Sequence, residues 1–322
     1  MRKYLSLFFA FVLAAALPAK ADDAVLSAQI YGYRRDMVYF DCVQTPLVSQ
    51  EFYTNPGEEH LYKFECDGLV CMLINSSVKV LLQPGDSLHV DIHYEGRAVS
   101  SIEFTGSEQA VNNNILVNSV EQLKRKLRYK SQLLGCVALD IKPKTRIDDS
   151  RTLQEKVNLL LEGSKATEEA KNYVRALIDY DVYLSLMEYP VMYASTRGLA
   201  LEQQEIGDYW EIMSGFEPRS DAQALSAPEY ASLLMRYAFF VNEKKAKEQG
   251  KAYEMPTRFE GMYSELAAFY DGAQRDFVLY TLLCNFIKNG QEIERADALY
   301  KDYIEKYNKN SSYKAILDTL LQ

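Results

Sequence analysis

The chain has 322 residues and a formal net charge of −9 at pH 7, with 45 acidic residues against 36 Lys and Arg. Such an acidic surface repels phosphate backbones, and no local stripe of Lys and Arg offsets it, which argues against a nucleic-acid partner. A chain of this length also exceeds what one hydrophobic core usually organises, so two or more domains are expected.

Residues 1–21 have the pattern of a secretory signal peptide. Arg2 and Lys3 form a positive start, residues 5–17 an apolar core, and Ala19-Lys20-Ala21 a small-residue cleavage site. The apolar core is shorter than the roughly 20 residues that a membrane-spanning helix needs. Cleavage would remove three basic residues and no acidic ones, which moves the formal charge from −9 to −12.

The rest of the sequence agrees with export. No cysteine follows the apolar core until Cys42, so a lipoprotein anchor at the cleavage site is not supported. No later segment is apolar for long enough to span a bilayer, so no transmembrane segment is predicted. We therefore expect a periplasmic protein with a cleavable signal peptide.

Residues 22–106 show short runs of period-two alternation between turn residues, the pattern of an antiparallel β-sandwich domain. The turn signals are Asn55-Pro-Gly57, Asp67-Gly68 and Pro84-Gly85-Asp86, and the last is expected to close a β-hairpin. The predicted strands are Ser27 to Tyr33, Met37 to Val43, Leu61 to Cys66, Val70 to Ile74, Val78 to Leu82, Leu88 to Tyr94 and Ile102 to Phe104.

Residues 107–322 change to a helical period and predict an all-α domain. A first helix, with a capping box at Thr105-x-x-Glu108, is followed by a long helical pattern from Arg151 to Glu188 that Tyr189-Pro190 is expected to close. Ser226-Ala-Pro-Glu229 has the capping-box pattern of another helix start. Four short helices follow, at residues 258–270, 274–288, 292–307 and 312–321. Residues 296–320 fit a tetratricopeptide-like pair, although no repeat of fixed period is present.

Five cysteines lie in a chain whose predicted compartment permits disulfides. Cys66 and Cys71 flank Asp67-Gly68 and are candidates for a disulfide across a short hairpin, with Cys42 on a neighbouring strand as the competing partner. Cys136 and Cys284 are interpreted as small apolar core residues. The odd count leaves at least one thiol free or shared between chains.

His89-x-Asp91-x-His93 places two imidazoles and a carboxylate on one face of a strand. His89 and His93 are therefore candidate zinc ligands. The alternative is a solvated strand face, since the residues between them are apolar and give the strand a buried side. A further carboxylate, Asp181, lies on an apolar helical stripe without a partner at helical spacing and is interpreted as the edge of that helix face.

Several catalytic spacings are absent from the sequence: C-x-x-C, H-E-x-x-H, G-x-S-x-G and a glycine-rich phosphate loop. No catalytic residue and no cofactor is therefore predicted. Cys66 and Cys71 lie on predicted strands, where the helix dipole that depresses a thiol pKa is missing.

The order of several short motifs resembles a known family. The carrying segments are Leu81-Leu-Gln-Pro-Gly-Asp86, Phe104-Thr-Gly106, Ile178-Asp-Tyr180, Leu186-Met-Glu-Tyr-Pro190, Ser226-Ala-Pro-Glu-Tyr230, and Tyr303-Ile-Glu-Lys-Tyr307 with Ser311-Ser-Tyr313. Together they are similar to the β-rich and helical accessory region of TlpA-like envelope thiol-disulfide oxidoreductases from Bacteroides-type bacteria. The family's Trp-Cys-x-x-Cys segment is missing, and the single tryptophan, Trp210, is far from any cysteine.

The resemblance implies a stand-alone relative of that accessory region. The leading hypothesis is a non-catalytic binding or scaffolding protein that recognises protein or peptide partners, among them a thioredoxin-fold protein. The alternative is a thiol-disulfide oxidoreductase that uses Cys66 and Cys71, or the partner subunit of a separate thioredoxin-fold protein. A zinc-dependent activity at His89 and His93 is a third hypothesis.

Overall fold

The computed structural model describes residues 22–45, 49–53, 58–129, 141–290 and 293–322. The predicted signal peptide, the Asn55-Pro-Gly57 turn and Cys136 lie outside these residues. Strands come first and helices follow, as predicted. The strands are β1 (Asp22–Tyr31), β2 (Met37–Cys42), β3 (Ser49–Tyr53), β4 (Glu59–Cys66), β5 (Val70–Ile74), β6 (Val78–Leu82), β7 (Ser87–Glu95) and β8 (Ala98–Gly106).

The α-helices all follow the last strand. They are α1 (Glu108–Lys126), α2 (Pro143–Gly163), α3 (Glu168–Asp179), α4 (Ser185–Arg197), α5 (Pro228–Glu248), α6 (Phe259–Phe269), α7 (Gly272–Lys288), α8 (Ile293–Lys306) and α9 (Ser311–Leu320). A π-helical segment, Tyr180–Leu184, joins α3 to α4. None of the helices in the described ranges combines the length and the apolar character needed to cross a membrane.

The strands form two four-stranded sheets, in the orders β4-β1-β7-β8 and β3-β2-β5-β6. The second sheet is antiparallel throughout. The first is mixed, because β1 runs antiparallel to β4 but parallel to β7, from Val25 opposite Ser87 to Tyr31 opposite His93. The purely antiparallel arrangement expected from the sequence is therefore wrong for this sheet.

Pro84-Gly85-Asp86 does not close a hairpin, since it leads from β6 in the second sheet to β7 in the first. The Asp86 carboxylate accepts hydrogen bonds from Gln83 N at 2.8 Å and from Ser107 Oγ at 3.1 Å, while its carbonyl accepts from Val25 N at 2.8 Å. These bonds hold the turn against β1 and the start of α1. Gly106 completes the contact, because a Cβ there would lie 2.1 Å from Ser87 O.

Asp67-Gly68 likewise connects β4 in the first sheet to β5 in the second. The hairpin between β5 and β6 instead turns at Asn75 and Ser76, whose φ angles of 52° and 54° are those of the tight turns that match strand twist.

Two asparagines of α1 join the strands to the helices. Asn114 donates to Leu81 O and accepts from Leu81 N, both at 2.8 Å, so its carboxamide pairs with the free edge of β6 as another strand would. Asn113 donates to Gln83 Oε1 at 3.0 Å and accepts from Thr167 N, the residue before α3, at 2.9 Å. Both asparagine side chains are buried.

Four helix boundaries differ in detail from the sequence predictions. The helical pattern predicted from Arg151 begins earlier, because α2 starts at Pro143, whose missing N–H costs little in a first turn. Pro190 lies inside α4 with its ring buried, so Tyr189-Pro190 does not close the helix as predicted. α5 begins at Pro228, close to the predicted start, but its cap residue is Ala227 and no capping box forms. At α1 the cap residue is Ser107, also without a side-chain cap bond.

Two buried clusters organise the molecule. One is formed by the inward residues of both sheets, for example Leu26, Phe40 and Val90. The other is mainly helical, but it includes Cys71 and Leu81 from the second sheet, so the strand and helix parts share a core. The four last helices lie where they were predicted, and α8 and α9 both pack against α7.

Candidate functional site

The predicted histidine face exists on β7. Alternation along β7 buries Leu88, Val90 and Ile92 and leaves His89 and His93 on the other face. His93 stacks on Tyr31, with ring centroids 4.4 Å apart. In the described part of the chain, no group of three or more His, Cys, Asp or Glu side chains is arranged to hold a metal ion.

His89 lies in a small polar network on this face. Its Nδ1 is 2.7 Å from Ser27 Oγ and 3.0 Å from Glu59 Oε1, and its Nε2 is 3.5 Å from Asp91 Oδ1. Hydrogen bonds from Ser27 and His89 lower the pKa of Glu59. A serine–histidine–acid relay needs the serine and the acid hydrogen-bonded to opposite ring nitrogens. Ser27 and Glu59 share Nδ1, and Asp91, at 3.5 Å from Nε2, is beyond the usual length of a strong hydrogen bond.

The structure contains no disulfide between Cys66 and Cys71. The two residues lie on β4 and β5, which belong to different sheets, so they do not face each other across a hairpin as predicted. Both are buried thiols, as are Cys42 and Cys284. Burial raises the pKa of Cys71 to about 12, so this side chain is a protonated thiol at neutral pH.

Asp181 has the partner that the helical spacing does not show. It lies in the π-helical segment, its side chain is only 4% exposed, and its Oδ2 is 2.8 Å from Lys124 Nζ on α1. The interpretation of Asp181 as the edge of a helix face is therefore wrong. The partner is 57 residues away in sequence, beyond the reach of any periodicity argument.

An open groove with a volume of about 460 Å³ lies at the strand–helix junction. One wall is the chain after β2 and the β4–β5 turn, residues 42–45 and 67–70. The opposite wall is formed by α7 and α9, and residues 222–228 close one side. We call this feature the junction groove.

Aromatic rings form the helical wall of the junction groove. Tyr280 and Tyr313 stack with centroids 4.0 Å apart and planes at 5°, and Phe277 lies next to Tyr313. Tyr313 is fixed by a hydrogen bond from its hydroxyl to Leu225 O at 3.1 Å. Asn285 and Ser312 are exposed at the rim, beside Lys288. The groove therefore combines a flat apolar surface with polar groups that can bind a peptide backbone.

The strand wall contributes the side chain of Gln44. Gln44 Oε1 accepts from Cys71 N at 2.9 Å, which fixes the side chain in place. Its Nε2 is buried and, among the described residues, donates to no acceptor. A buried donor without a partner is rare in proteins, and this one is free to donate to an acceptor in the groove.

Two thiols, Cys42 and Cys284, line the junction groove on opposite walls. Burial raises the pKa of both, that of Cys284 to about 11. Neither is therefore a thiolate at neutral pH, the state that thiol chemistry requires. The interpretation of Cys284 as a small buried residue is confirmed, since it is 6% exposed.

Comparison with known proteins found no matching family model, no similar curated protein and no similar solved structure.

Proposed function

We propose that this chain is an exported, non-catalytic binding protein of the cell envelope that holds an extended segment of a protein or peptide partner in the junction groove. We further propose that its two sheets face each other as a sandwich docked on the helices. Support for export comes from the sequence pattern of residues 1–21. Support for binding comes from the groove.

One observation carries the proposal: the junction groove is open, has a volume of about 460 Å³, and has stacked tyrosines on the wall opposite residues 42–45 and 67–70. Tyrosine offers a large rigid surface at low entropic cost, which is why it is enriched where proteins bind peptides and other proteins. Gln44 and Asn285 add amide groups on the two opposite walls. Such a surface suits an extended backbone with apolar side chains.

The raised thiol pKa values favour a non-catalytic binding protein over a thiol-disulfide oxidoreductase. An exchange reaction needs a thiolate and a second sulfur within reach. The pKa values of Cys42, Cys71 and Cys284 are all raised by burial, and Cys66 and Cys71 lie in different sheets. A thioredoxin-fold protein remains the partner class that the sequence resemblance suggests, and it would supply the thiol chemistry itself.

The test is a selection of random dodecapeptides displayed on phage against the full exported chain. We expect enriched peptides to share apolar residues, and to bind the purified protein as synthetic peptides in fluorescence anisotropy. Ser312→Trp places an indole at the rim of the groove and should weaken binding of these peptides by about tenfold or more. Ala315→Trp is the matched control, since Ala315 is exposed on the same helix, α9, but does not line the groove.

Equal loss of binding in the two tryptophan variants would place the peptides elsewhere on α9. Failure of the selection to enrich any peptide that binds in solution would contradict the proposal. Circular dichroism melts of both variants check that neither substitution unfolds the protein, which is expected because both positions are exposed.

A further inference from the structure

A second, smaller cavity lies where β6, α1, the π-helical segment and α5 meet. Its volume is about 160 Å³, and five charged side chains line it together with an apolar wall. The charged residues are Lys79 on β6, Glu121 and Lys124 on α1, Asp181 in the π-helical segment and Glu229 on α5. We call this feature the charged cavity. It shares no lining residue with the junction groove.

One of the two lysines is fully engaged by protein groups. Lys124 Nζ is 2.8 Å from Asp181 Oδ2 and 3.4 Å from Glu121 Oε1. Burial alone would lower the pKa of Lys124, but the two carboxylates outweigh burial and raise that pKa. Lys124 is therefore a charged structural group that neutralises one side of the cavity.

The other lysine and Glu229 keep unused hydrogen-bonding capacity. Lys79 Nζ forms an ion pair with Glu229 Oε1 at 3.6 Å, which is too long for a direct hydrogen bond, and Lys79 makes no hydrogen bond to another described residue. Glu229 Oε2 is buried and, within the same described ranges, accepts no hydrogen bond. Both side chains are largely covered, at 17% and 33% exposure. A buried charged oxygen and a covered ammonium group are costly unless other groups bind them.

The two groups call for a ligand that is both donor and acceptor. A simple cation would satisfy Glu229 and be repelled by Lys79, and a simple anion would meet the reverse problem. A zwitterion whose ammonium and carboxylate groups are a few ångströms apart complements a lysine and a glutamate at 3.6 Å head to tail. The wall beside them is aliphatic and includes Val117, Val174 and Ile178.

We infer that the charged cavity binds a free aliphatic α-amino acid, with the ligand carboxylate on Lys79, its ammonium group on Glu229 and its side chain on the aliphatic wall. The volume fits this size class, because a protein cavity of about 150 Å³ accommodates a benzene-sized molecule. The π-helical segment is part of the site, as such segments often are, since it carries Asp181, whose bond to Lys124 fixes α1 against it.

Isothermal titration calorimetry of the full chain tests the inference with L-leucine and two half-ligands. 4-Methylpentanoate is leucine without the ammonium group, and isopentylamine is leucine without the carboxylate. We expect leucine to bind at millimolar concentration or below and each half-ligand to bind about tenfold or more weakly, because each loses one charge-assisted hydrogen bond. No heat with leucine, or equal binding of either half-ligand, would overturn the inference.

Two substitutions locate the ligand. Glu229→Gln and Lys79→Met should each weaken leucine binding by about tenfold or more. Glu248→Gln on the same helix α5 and Lys126→Met on α1 are the matched controls, because both positions are exposed and outside the cavity. Unchanged leucine affinity in both cavity variants would also overturn the inference. Should the variants not fold, the half-ligand comparison on the natural chain decides alone. Ser312→Trp in the junction groove should leave leucine binding unchanged, so the two proposals can fail separately.

Discussion

Asn114 connects the second sheet to α1 through buried hydrogen bonds. Its side chain is fully buried and makes three hydrogen bonds, to Leu81 N, Leu81 O and Ala110 O, all at 2.8 Å. The Leu81 groups belong to the outer edge of β6 and are shielded from water by α1. A helix residue therefore satisfies a sheet edge that would otherwise be buried unpaired.

Replacing Asn114 by Ala should lower the free energy of unfolding by about 3 kcal/mol, because two buried backbone groups lose their partner. Asn112→Ala is the control on the same helix. Asn112 is only partly buried and makes no comparable bond, so a loss below about 0.5 kcal/mol is expected. Urea denaturation followed by circular dichroism measures both values, and equal losses would contradict this role for Asn114.

Asp179, at the end of α3, is a carboxylate in an unfavourable setting. Burial raises its pKa from 3.8 to about 6, with Arg219 lowering it and Asp221 raising it. The folded protein holds this proton more tightly than the unfolded chain. The stabilisation is therefore complete below about pH 4 and is lost as the pH rises through about 6.

Asp179→Asn should remove this pH dependence. At pH 7 the variant should be more stable than the natural protein by about 1–2 kcal/mol, and near pH 4 the two should be similar. Urea titrations at several pH values give the comparison. The control is Asp148→Asn, since Asp148 is exposed on α2. The assignment fails if the advantage of the Asp179 variant is the same at pH 4 as at pH 7.

At the scale of secondary-structure elements, the sequence pattern predicts the position of some strands but not their pairing. Alternation locates β2, β5, β6 and β7 well, because inward and outward residues of a half-buried strand differ in polarity. It misses β3, whose side chains are mostly exposed, and so carry no alternation of polarity. It also cannot assign partners. The parallel pairing of β1 with β7 joins residues some 60 positions apart, a choice decided by the whole core.

The π-helical segment is a second element that the sequence does not show. It lies between α3 and α4, where the wider turn changes the direction of the side chains. Asp181 in this segment forms a buried ion pair with Lys124 on α1. The ion pair links α1 to the π-helical segment, and removing it by substitution measures its contribution to stability.

Asp181→Asn should destabilise the protein by about 3 kcal/mol, because it leaves the covered Lys124 ammonium short of a counter-ion. The double variant Asp181→Leu with Lys124→Met should recover most of that loss, since neither charge then remains buried. Asp297→Asn breaks the exposed pair with Lys301 and serves as the control, with an expected change below about 0.5 kcal/mol. Thermal and urea unfolding provide the measurements. If the double variant loses more stability than the Asp181→Leu and Lys124→Met variants lose in sum, the ion-pair account is refuted.

At the scale of the whole molecule, the candidate sites are assembled from distant segments. The junction groove combines residues 42–45 and 67–70 with side chains of α7 and α9, more than 200 positions later. The sequence shows its tyrosines, but aromatic residues at helical spacing are equally expected in a hydrophobic core, so the spacing does not indicate a groove. The charged cavity is drawn from β6, α1, the π-helical segment and α5. Neither site contains a short motif, so neither could be predicted before the fold was known.

The boundary at residue 106 separates strands from helices, yet the two parts share a core. Cys71 and Leu81 are fully buried among helical residues, and Asn113 and Asn114 bond to β6 and to the residue after it. A fragment of residues 22–106 would expose these groups to water. Because a β-domain of this size has little stability to spare, we expect the fragment not to fold alone.

Expression of residues 22–106 as a separate polypeptide tests this expectation. The fragment should show poor dispersion of amide resonances and no cooperative melting transition, whereas residues 22–322 should unfold in a single transition seen alike by circular dichroism and tyrosine fluorescence. Asn114→Ala in the longer chain is the informative comparison, because it weakens the junction and leaves both parts intact. Two outcomes would contradict the expectation: cooperative melting of the fragment, or unfolding of the longer chain in two steps without the Asn114→Ala substitution. Either would mean that the strand part is an independent domain, and that the shared core is an interface between two stable domains.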